Sequence, residues 1–339
     1  MGSAFKGLAA AVFCTASIAA HAVAAEWTIV DLTPEGMGIA TAISPNGIVA
    51  GCRNTSTDTR AFVYAYGQRR DLAAPEGAQS CALAVNNNGV AAGRIDGEIT
   101  VWGQDGSARR LGVQGNVTGI DDAGVIVGAI TEGPYNSGSA ARRAFMWSNG
   151  VFTDLGAAGT AIGINRRGQV AVISAGNLYI YENGTLRDLN ANVTNAYGFN
   201  DRSEIAGMGS FGYGPEPFIY DNAVHRIAGS YSQAGAVALN NMGQVLGSGE
   251  GVYGFLIEGG QSYRLDSLPG VASTGAWGHS EGKAINDRGW IVGQGGNASG
   301  FHAFLLVPRE TSPTAVSTGN PAARASTRST PLIRVRNTQ

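Results

Sequence analysis

The sequence predicts an all-β protein, a seven-bladed β-propeller of four-stranded antiparallel blades, and three observations carry this prediction. The first is a hairpin motif, clearest in residues 284–293: a short apolar run, an Asn/Asp turn that closes on glycine, and a second β-branched run. Seven copies begin at positions 42, 84, 119, 163, 198, 238 and 284. Intervals of 35 to 46 residues that hold only strand signals indicate a repeat architecture. We number these repeats 1 to 7 in chain order.

The second observation is a further hairpin in each repeat. In repeat 3, residues 143–150 precede a shorter run, 151–155, that ends in Asp-Leu, and residues 60–72 follow the same pattern in repeat 1. Large residues recur at every second position, which predicts a strand with one buried face. Each repeat of about 40 residues therefore holds four antiparallel strands, as a propeller blade does.

The third observation concerns the two ends of the repeat region. Repeat 7 runs through residues 302–307 without the final Asp-Leu strand, whereas residues 27–32 match residues 151–155 in pattern. The N-terminal strand (27–32) is therefore predicted to complete the last blade and close the ring. Closure removes a strand edge that would otherwise invite aggregation. An open solenoid, the alternative, would need a capping repeat at each end.

Three segments are expected. Residues 1–25 resemble a secretory signal peptide, with Lys6, an apolar Ala-rich run and small residues before Glu26. Residues 26–307 form the predicted propeller, and residues 308–339 form a disordered tail rich in Ser, Thr, Pro and Arg. The apolar run is too short to span a bilayer, and no other stretch could do so. We therefore expect a secreted protein, extracellular or periplasmic, without a transmembrane segment in the mature chain.

The composition suits a turn-rich β protein. Of 339 residues, 44% are hydrophobic, 14% are charged and 51 are glycine. The formal net charge of −2 gives no reason to expect nucleic acid or a membrane surface as partner, and a monomer is expected.

Two cysteines, Cys52 and Cys81, remain after the predicted signal, which contains Cys14. An even pair in an exported protein is compatible with a disulfide, which would join neighbouring repeats and contribute about 3 kcal/mol. Two small buried thiols are the other reading, because spacing does not fix the geometry of the side chains.

The repeat resembles the bacterial extracellular HAF repeat family, named for its His-Ala-Phe tripeptide. The tripeptide stands at His302-Ala303-Phe304, with near copies at Arg60-Ala61-Phe62 and Arg143-Ala144-Phe145. The second half-motif of the family, Ile-Asn-x-x-Gly-x-Val-Val-Gly, is matched by residues 285–293. The resemblance covers residues 27–307. It implies secretion and a propeller, but no activity, cofactor or catalytic residue.

Sequence motifs of catalysis are weak. Three histidines follow the predicted signal, His225, His279 and His302, and they lie in different repeats without ligand spacing, so neither a metal site nor a cofactor is expected. The Asn/Asp turns lack the alternating acids and distal Glu of a calcium loop and are interpreted as turns. Carboxylates contributed by different blades could still serve glycosidic chemistry.

Candidate binding residues come from the longer connections, which should all leave one face of the ring because antiparallel strands alternate their ends. Aromatic and polar side chains on such loops are typical of a binding face, although they can also pack beneath their own loops. The candidates are Tyr135, Phe211, Tyr213, Tyr231, Trp277, His279 and Glu281. Trp277 is the strongest of them, since its ring can stack on a sugar or anchor a partner.

These observations favour a secreted, non-enzymatic propeller that binds a glycan or protein through its long-loop face. Two alternatives stay open. One is a polysaccharide hydrolase or lyase with its site at the mouth of the central channel, and the other is a structural component of the cell envelope. Fold by itself does not separate them.

Overall fold

The computed structural model describes residues 26–132, 141–212, 214–227, 234–249, 252–274 and 277–309. The predicted signal peptide and all but the first two residues of the predicted tail lie outside this range. The described chain is all-β, with two short 3-10 helices, Leu265–Ser267 and Ala272–Thr274. In this part of the chain no helix is long and apolar enough to cross a membrane.

The N-terminal strand and the first three repeats contribute the first twelve strands. They are β1 (Trp27–Asp31), β2 (Gly38–Ile43), β3 (Val49–Asn54), β4 (Thr59–Ala65), β5 (Gln68–Asp71), β6 (Ser80–Val85), β7 (Ala91–Ile95), β8 (Glu98–Trp102), β9 (Ala108–Ile120), β10 (Ile126–Glu132), β11 (Ala141–Ser148) and β12 (Val151–Asp154).

Repeats 4 to 7 contribute the remaining strands of the described chain. They are β13 (Thr160–Ile164), β14 (Val170–Ser174), β15 (Asn177–Glu182), β16 (Thr185–Asn192), β17 (Asn195–Phe199), β18 (Ile205–Ser210), β19 (Pro215–Tyr220), β20 (Val224–Arg226), β21 (Ala234–Leu239), β22 (Val245–Gly249), β23 (Val252–Glu258), β24 (Gln261–Arg264), β25 (Gly278–Ile285), β26 (Ile291–Asn297) and β27 (Gly300–Pro308).

The described strands form five sheets of four strands and one sheet of seven, with every named pair of strands antiparallel. The seven-stranded sheet differs from expectation, because repeats 2 and 3 share the long strand β9 and no loop separates them. The first half of β9 pairs with β8 and the second half with β10. Gly112, with a φ of +73°, lies between the two halves, and glycine is the residue that adopts this conformation at little cost.

The N-terminal strand lies in the sheet of the last repeat, in the order β1-β27-β26-β25. Its register with β27 runs from Trp27 opposite Pro308 to Asp31 opposite Phe304. The same cross-strand relation between an aspartate and a phenylalanine occurs in repeat 3, where Asp154 lies opposite Phe145. β1 therefore takes the place that the Asp-Leu strand takes in the other repeats.

A cross-strand pair of glycine and phenylalanine connects the two halves of the repeated motif. The final glycine of the first hairpin lies opposite the central phenylalanine of the third strand in five repeats: Gly51 and Phe62, Gly128 and Phe145, Gly207 and Phe218, Gly247 and Phe255, and Gly293 and Phe304. All five phenylalanine side chains are fully buried. A Cβ on any of these glycines would collide with the phenylalanine ring or with a facing carbonyl oxygen. The two half-motifs recur in phase because each ring needs the space that its glycine leaves.

The core of the described chain lies between sheets rather than within one of them. Its hydrophobic clusters each combine residues from two consecutive repeats. One further cluster joins the last repeat to the first, with Val292, Ala303 and Leu305 packed against Ala40, Val49 and Phe62. Face-to-face packing of neighbouring sheets thus buries both faces of each sheet, which explains the near-continuous apolar runs of the second strands.

A disulfide joins Cys52 in β3 to Cys81 in β6, with a Cα–Cα distance of 4.8 Å. It links the sheets of repeats 1 and 2 across 29 positions of sequence. Both cysteines lie inside their strands.

Candidate functional site

A β-bulge occurs at the same place in the first hairpin of every repeat. In each first strand, the third residue from the C-terminal end has no partner in the register with the second strand. A bulge re-aims the side chain of the extra residue. We call these seven the bulge residues: Thr41, Leu83, Thr118, Ile162, Tyr197, Val237 and Lys283.

Six of the bulge residues line one cavity of about 550 Å³. This volume lies within the range of about 300 to 1,000 Å³ that is usual for small-molecule sites. The other lining residues are Asn116, Arg142, Thr160, Ile173, Asn195 and Ala196. Six different repeats contribute to the wall, so the cavity lies where their first strands come together.

Part of the cavity lining lies at strand ends that lead to the longer connections. Thr160 and Asn195 are the first residues of β13 and β17, and Arg142 is the second residue of β11. These strand ends lie opposite the short hairpin turns, because antiparallel strands alternate direction. These three lining residues therefore lie at the strand ends that face the longer connections.

The polar side chains of the cavity offer more hydrogen-bond donors than acceptors. The hydroxyl groups of Thr41 and Thr118 donate to the carbonyl oxygens of Ala82 and Ala161, at 2.6 and 2.7 Å. Lys283 Nζ lies 2.8 Å from Glu281 Oε2. Within the described chain, the Arg142 side chain has no ion-pair partner, and no lining residue of the cavity is Asp or Glu.

Sequence reasoning did not identify the bulge residues. The signal was present, since the position before Ala-Ile-Asn in repeat 7, and its equivalents, varies among Thr, Leu, Ile, Tyr, Val and Lys while its neighbours repeat. Where the residue type varies from repeat to repeat while its neighbours stay the same, the repeat fold does not require one particular side chain, so the side chain can contact a ligand.

The Asn/Asp turns lie at the opposite end of the strands, where several of them line a second cavity of about 150 Å³. The side-chain amide of the turn asparagine donates to the backbone carbonyl of the equivalent residue in the next repeat, from Asn86 to Asp121, Asn165 to Asn200, Asn200 to Asn240, Asn240 to Asn286 and Asn286 to Ser44. The Oδ1 atom of the same asparagine accepts the backbone N–H groups of its own turn, as Asn286 does from Arg288 and Trp290. We call this set of bonds the asparagine belt.

A second layer of the belt is charged. Asn241 Nδ2 donates to Asp201 Oδ2 and to Asp287 Oδ2, at 2.7 and 2.8 Å, and Arg166 Nε donates to Asp201 at 2.6 Å. Burial by itself would raise the pKa of the Asp201 carboxyl, but hydrogen bonds from Arg166 and Asn241 hold that pKa below its usual value. The Asp201 carboxylate is therefore held ionised by donors of neighbouring turns. Among the described residues no group of three or more His, Cys, Asp or Glu is placed to hold a metal ion.

The loop residues that the sequence predicted for binding, as far as the structure describes them, are not among the residues that line the cavity. The Trp277 ring packs edge-on against His302 and Phe304, with centroids 6.3 and 6.2 Å away, and it is half-buried. Phe211 packs against the core between repeats 4 and 5. His279 and Glu281 are exposed, and Glu281 contacts the cavity through Lys283. Tyr135, Tyr213 and Tyr231 lie outside the described residues.

A second polar cluster brings together a serine, a histidine and an aspartate. Buried His302 has Nδ1 3.0 Å from Asp31 Oδ2 and Nε2 3.1 Å from Ser299 Oγ. The Ser299 hydroxyl donates to Asn297 Oδ1 at 2.8 Å, so its proton is directed away from the imidazole. Arg143 occupies the equivalent position in repeat 3 and pairs with Asp154. The cluster is thus the repeat 7 version of an ion pair between the third and fourth strands.

Comparisons with known proteins identify a fold and no closer relation. No protein-family model and no curated protein sequence matches the chain. Among solved structures, Pyrococcus horikoshii acylaminoacyl peptidase matches with a TM-score of 0.51 at 14% identity, over 80% of this chain and 53% of that one. The extracellular domain of the one-component system BT4673 from B. thetaiotaomicron matches with a TM-score of 0.51 at 12% identity, over 82% of this chain and 39% of that one.

A third similar structure is the β-propeller domain of the Trilobed protease from Pyrococcus furiosus, with a TM-score of 0.48 at 12% identity, over 68% of this chain and 84% of that one. At these identities the likeness concerns the fold alone. The chain has a β-propeller fold of antiparallel sheets, most of them four-stranded, whereas membership of the HAF repeat family stays a prediction.

Proposed function

We propose that the protein is a closed seven-bladed β-propeller that binds a glycan, without catalysing its cleavage, in the cavity on its long-loop face. Three contacts support closure: β1 pairs with β27, a hydrophobic cluster joins the last repeat to the first, and Asn286 donates to Ser44. Seven blades follow if the shared strand β9 is divided between repeats 2 and 3.

The observation that carries the binding proposal is the series of bulge residues. Each repeat turns one side chain out of the regular alternation of its first strand, and six of these side chains line one cavity. Tyr197, which is 45% exposed, offers the wall an aromatic face. Sugars present both apolar ring faces and polar edges, and a wall that combines Tyr197 with Ile162 and Val237 matches this pattern.

The experiment uses the full mature chain against immobilised bacterial and plant polysaccharides, with retention and released sugar read together. Tyr197→Ala is the test variant. Tyr66→Ala is the matched control, because Tyr66 is 98% exposed on the hairpin turn between β4 and β5, at the other end of the strands. We expect retention that Tyr197→Ala abolishes and Tyr66→Ala preserves.

Other outcomes overturn the proposal in distinct ways. Retention that Tyr197→Ala leaves intact would move the binding site away from the cavity. Released sugar would favour the hydrolase or lyase alternative, whose acids would then have to come from outside the described lining. Lack of retention on every polysaccharide would leave a protein ligand or a structural role in the envelope. Export of the protein stays a prediction and is checked by the N-terminal residue of the mature chain.

A further inference from the structure

The charges of the cavity wall point to one class of glycan. We propose that the cavity binds an acidic sugar, whose carboxylate is held by Arg142 and Lys283 while its ring lies against Tyr197. This inference rests on the proposed function, which requires only that a glycan binds in the cavity.

The first argument is the charge of the wall. Arg142 and Lys283 are the charged residues among those that line the described cavity, and both are cations. They come from repeats 3 and 7, so they approach the centre of the molecule from separate sides. A neutral ligand would leave Arg142 without an ionic partner among the described residues and Lys283 with Glu281 alone, whereas a carboxylate can pair with both cations.

The second argument is the inventory of donors. Arg142 presents up to five N–H groups and Lys283 three, and neither side chain can accept a hydrogen bond. The side-chain oxygen of Asn195 already accepts from the backbone N–H of Ala196 at 3.0 Å, which leaves its amide as a donor. The protons of Thr41 and Thr118 are committed to backbone carbonyls, so these two hydroxyl groups present acceptors to which the hydroxyl groups of a sugar can donate. The donors of Arg142 and Lys283 are matched by a carboxylate, which only accepts.

The third argument concerns Glu281, the acid that contacts a lining cation in the described part of the chain. The ion pair of Glu281 and Lys283 is largely exposed, with 50% and 35% of the side chains accessible. Exposed pairs of this kind contribute at most about 1 kcal/mol. The Lys283 ammonium can therefore exchange Glu281 for a ligand carboxylate or bind both, since one of its three donors is in use.

The shape of the wall favours a sugar over a compact anion. Ile162, Ile173 and Val237 form an apolar part of the lining, and Tyr197 exposes its ring. A phosphate or sulfate ion would gain nothing from these groups. A ring that carries one carboxylate uses the cations and the apolar wall together, and the planar guanidinium of Arg142 can bind a carboxylate through two parallel hydrogen bonds.

The test is calorimetric titration of the full mature chain with trigalacturonate, its methyl ester, neutral galactotriose and galactose 6-phosphate. Trigalacturonate should bind, and the ester and the neutral trisaccharide should bind roughly tenfold more weakly or not at all, because each lacks the charged acceptor. Affinity for trigalacturonate should fall as sodium chloride is raised.

Variants distinguish the loss of a charged contact with the ligand from damage to the fold. Arg142→Gln should weaken trigalacturonate binding roughly tenfold, and Arg187→Gln, an exposed arginine on β16 outside the cavity, should leave it unchanged. Glu281→Gln should strengthen binding several-fold, because it releases Lys283 from its present partner. A gain of affinity on removal of an exposed acid is not a result that damage to the fold would give.

The outcomes distinguish this inference from the function on which it rests. If the neutral trisaccharide or the ester binds as tightly as trigalacturonate, in a manner that Tyr197→Ala abolishes, the glycan-binding proposal stands and the acidic-sugar inference is wrong. If galactose 6-phosphate binds more tightly than trigalacturonate, Arg142 and Lys283 bind a phosphate group rather than a carboxylate, and the acidic-sugar inference is wrong. Lack of binding by all four ligands would overturn both proposals.

Discussion

The side-chain amide of Asn286 donates a hydrogen bond of 3.2 Å to the backbone carbonyl of Ser44, a residue 242 positions earlier in the chain. The same bond joins other neighbouring turns, such as Asn240 and Asn286 at 2.9 Å. The last and first repeats are thus connected by the device that connects repeats adjacent in sequence. Asn286 is 5% exposed, so its amide has little access to water as a substitute partner.

The belt predicts a loss of stability from Asn286→Ser. Repeat 1 carries Ser44 at the equivalent position, and Ser44 Oγ accepts the Ile48 N–H at 3.1 Å, so serine keeps an acceptor for the turn and removes the donor. We expect the free energy of unfolding in urea to fall by about 1 to 2 kcal/mol. Asn240→Ser is the matched variant within the chain. If Asn240→Ser destabilises and Asn286→Ser does not, the bond to Ser44 contributes nothing.

A second prediction concerns the glycine opposite the buried phenylalanine in repeat 7. A Cβ on Gly293 would collide with the carbonyl oxygen of Glu281 and approach Phe304 Cζ to 2.9 Å. Gly293→Ala should therefore lower the free energy of unfolding by about 3 kcal/mol through overpacking. Gly278→Ala, on the neighbouring β25, meets nothing within 4 Å and should change it by less than about 0.5 kcal/mol. Equal effects of the two variants would contradict this account.

The disulfide predicts a redox-dependent stability. Reduction of Cys52–Cys81 should lower the free energy of unfolding by about 3 kcal/mol, because it releases a constraint on the unfolded chain across 29 positions. The Cys52→Ala/Cys81→Ala double variant should show the same loss and no response to dithiothreitol. A wild-type protein whose urea midpoint is the same with and without reductant would argue against the bridge.

The lowered pKa of Asp201 leads us to expect a loss of stability in acid. Its pKa lies below its usual value in the folded chain, so its contribution is present above the unfolded pKa of about 3.9 and is lost as the pH falls through the folded pKa. The difference in free energy of unfolding between pH 6 and pH 3 should be smaller in Asp201→Asn than in the wild type. Asp188→Asn, an exposed aspartate outside the belt, is the control and should keep the wild-type difference.

Trp277 gives a prediction that separates packing from recognition. Its ring contacts His302 and Phe304, so Trp277→Ala should lower the free energy of unfolding by about 2 kcal/mol, less than a fully buried tryptophan would. Trp277→Phe should recover part of the loss. Glycan retention by the folded fraction should persist in both variants. Loss of retention with unchanged stability would restore Trp277 as a ligand contact.

Much of the fold could be predicted from the sequence because the signals are local and repeated. The turn asparagine and glycine of residues 286–289, the alternation of residues 302–307 and the match of residues 27–32 to residues 151–155 each encode a strand or a turn. The continuous strand β9 was not predicted. Residues 111–119 hold the end of the fourth strand of repeat 2 and the start of the first strand of repeat 3, and Gly112, with its positive φ, lies where the two strands join.

The loop residues predicted for binding and the residues that line the cavity are different sets, and ligand binding by either set stays a prediction. Exposure of Trp277 and Phe211 cannot be judged from the sequence, because it depends on what packs beside them, and both lie against the core. Arg142 and Tyr197 were not predicted because each lies within a strand. In the sequence of a strand, an arginine is interpreted as a residue of the exposed face and a tyrosine as a residue of the buried face.

The sequence by itself determined the repeating hairpins and the turn chemistry, because these depend on residues close together along the chain. Only the tertiary structure decided which side chains meet at the centre. A shift of one residue turns a strand's side chains to its other face, and the bulge at Lys283 and its equivalents makes this shift at one point of each first strand. Six repeats must then converge before Tyr197, Lys283 and Arg142 can share one cavity.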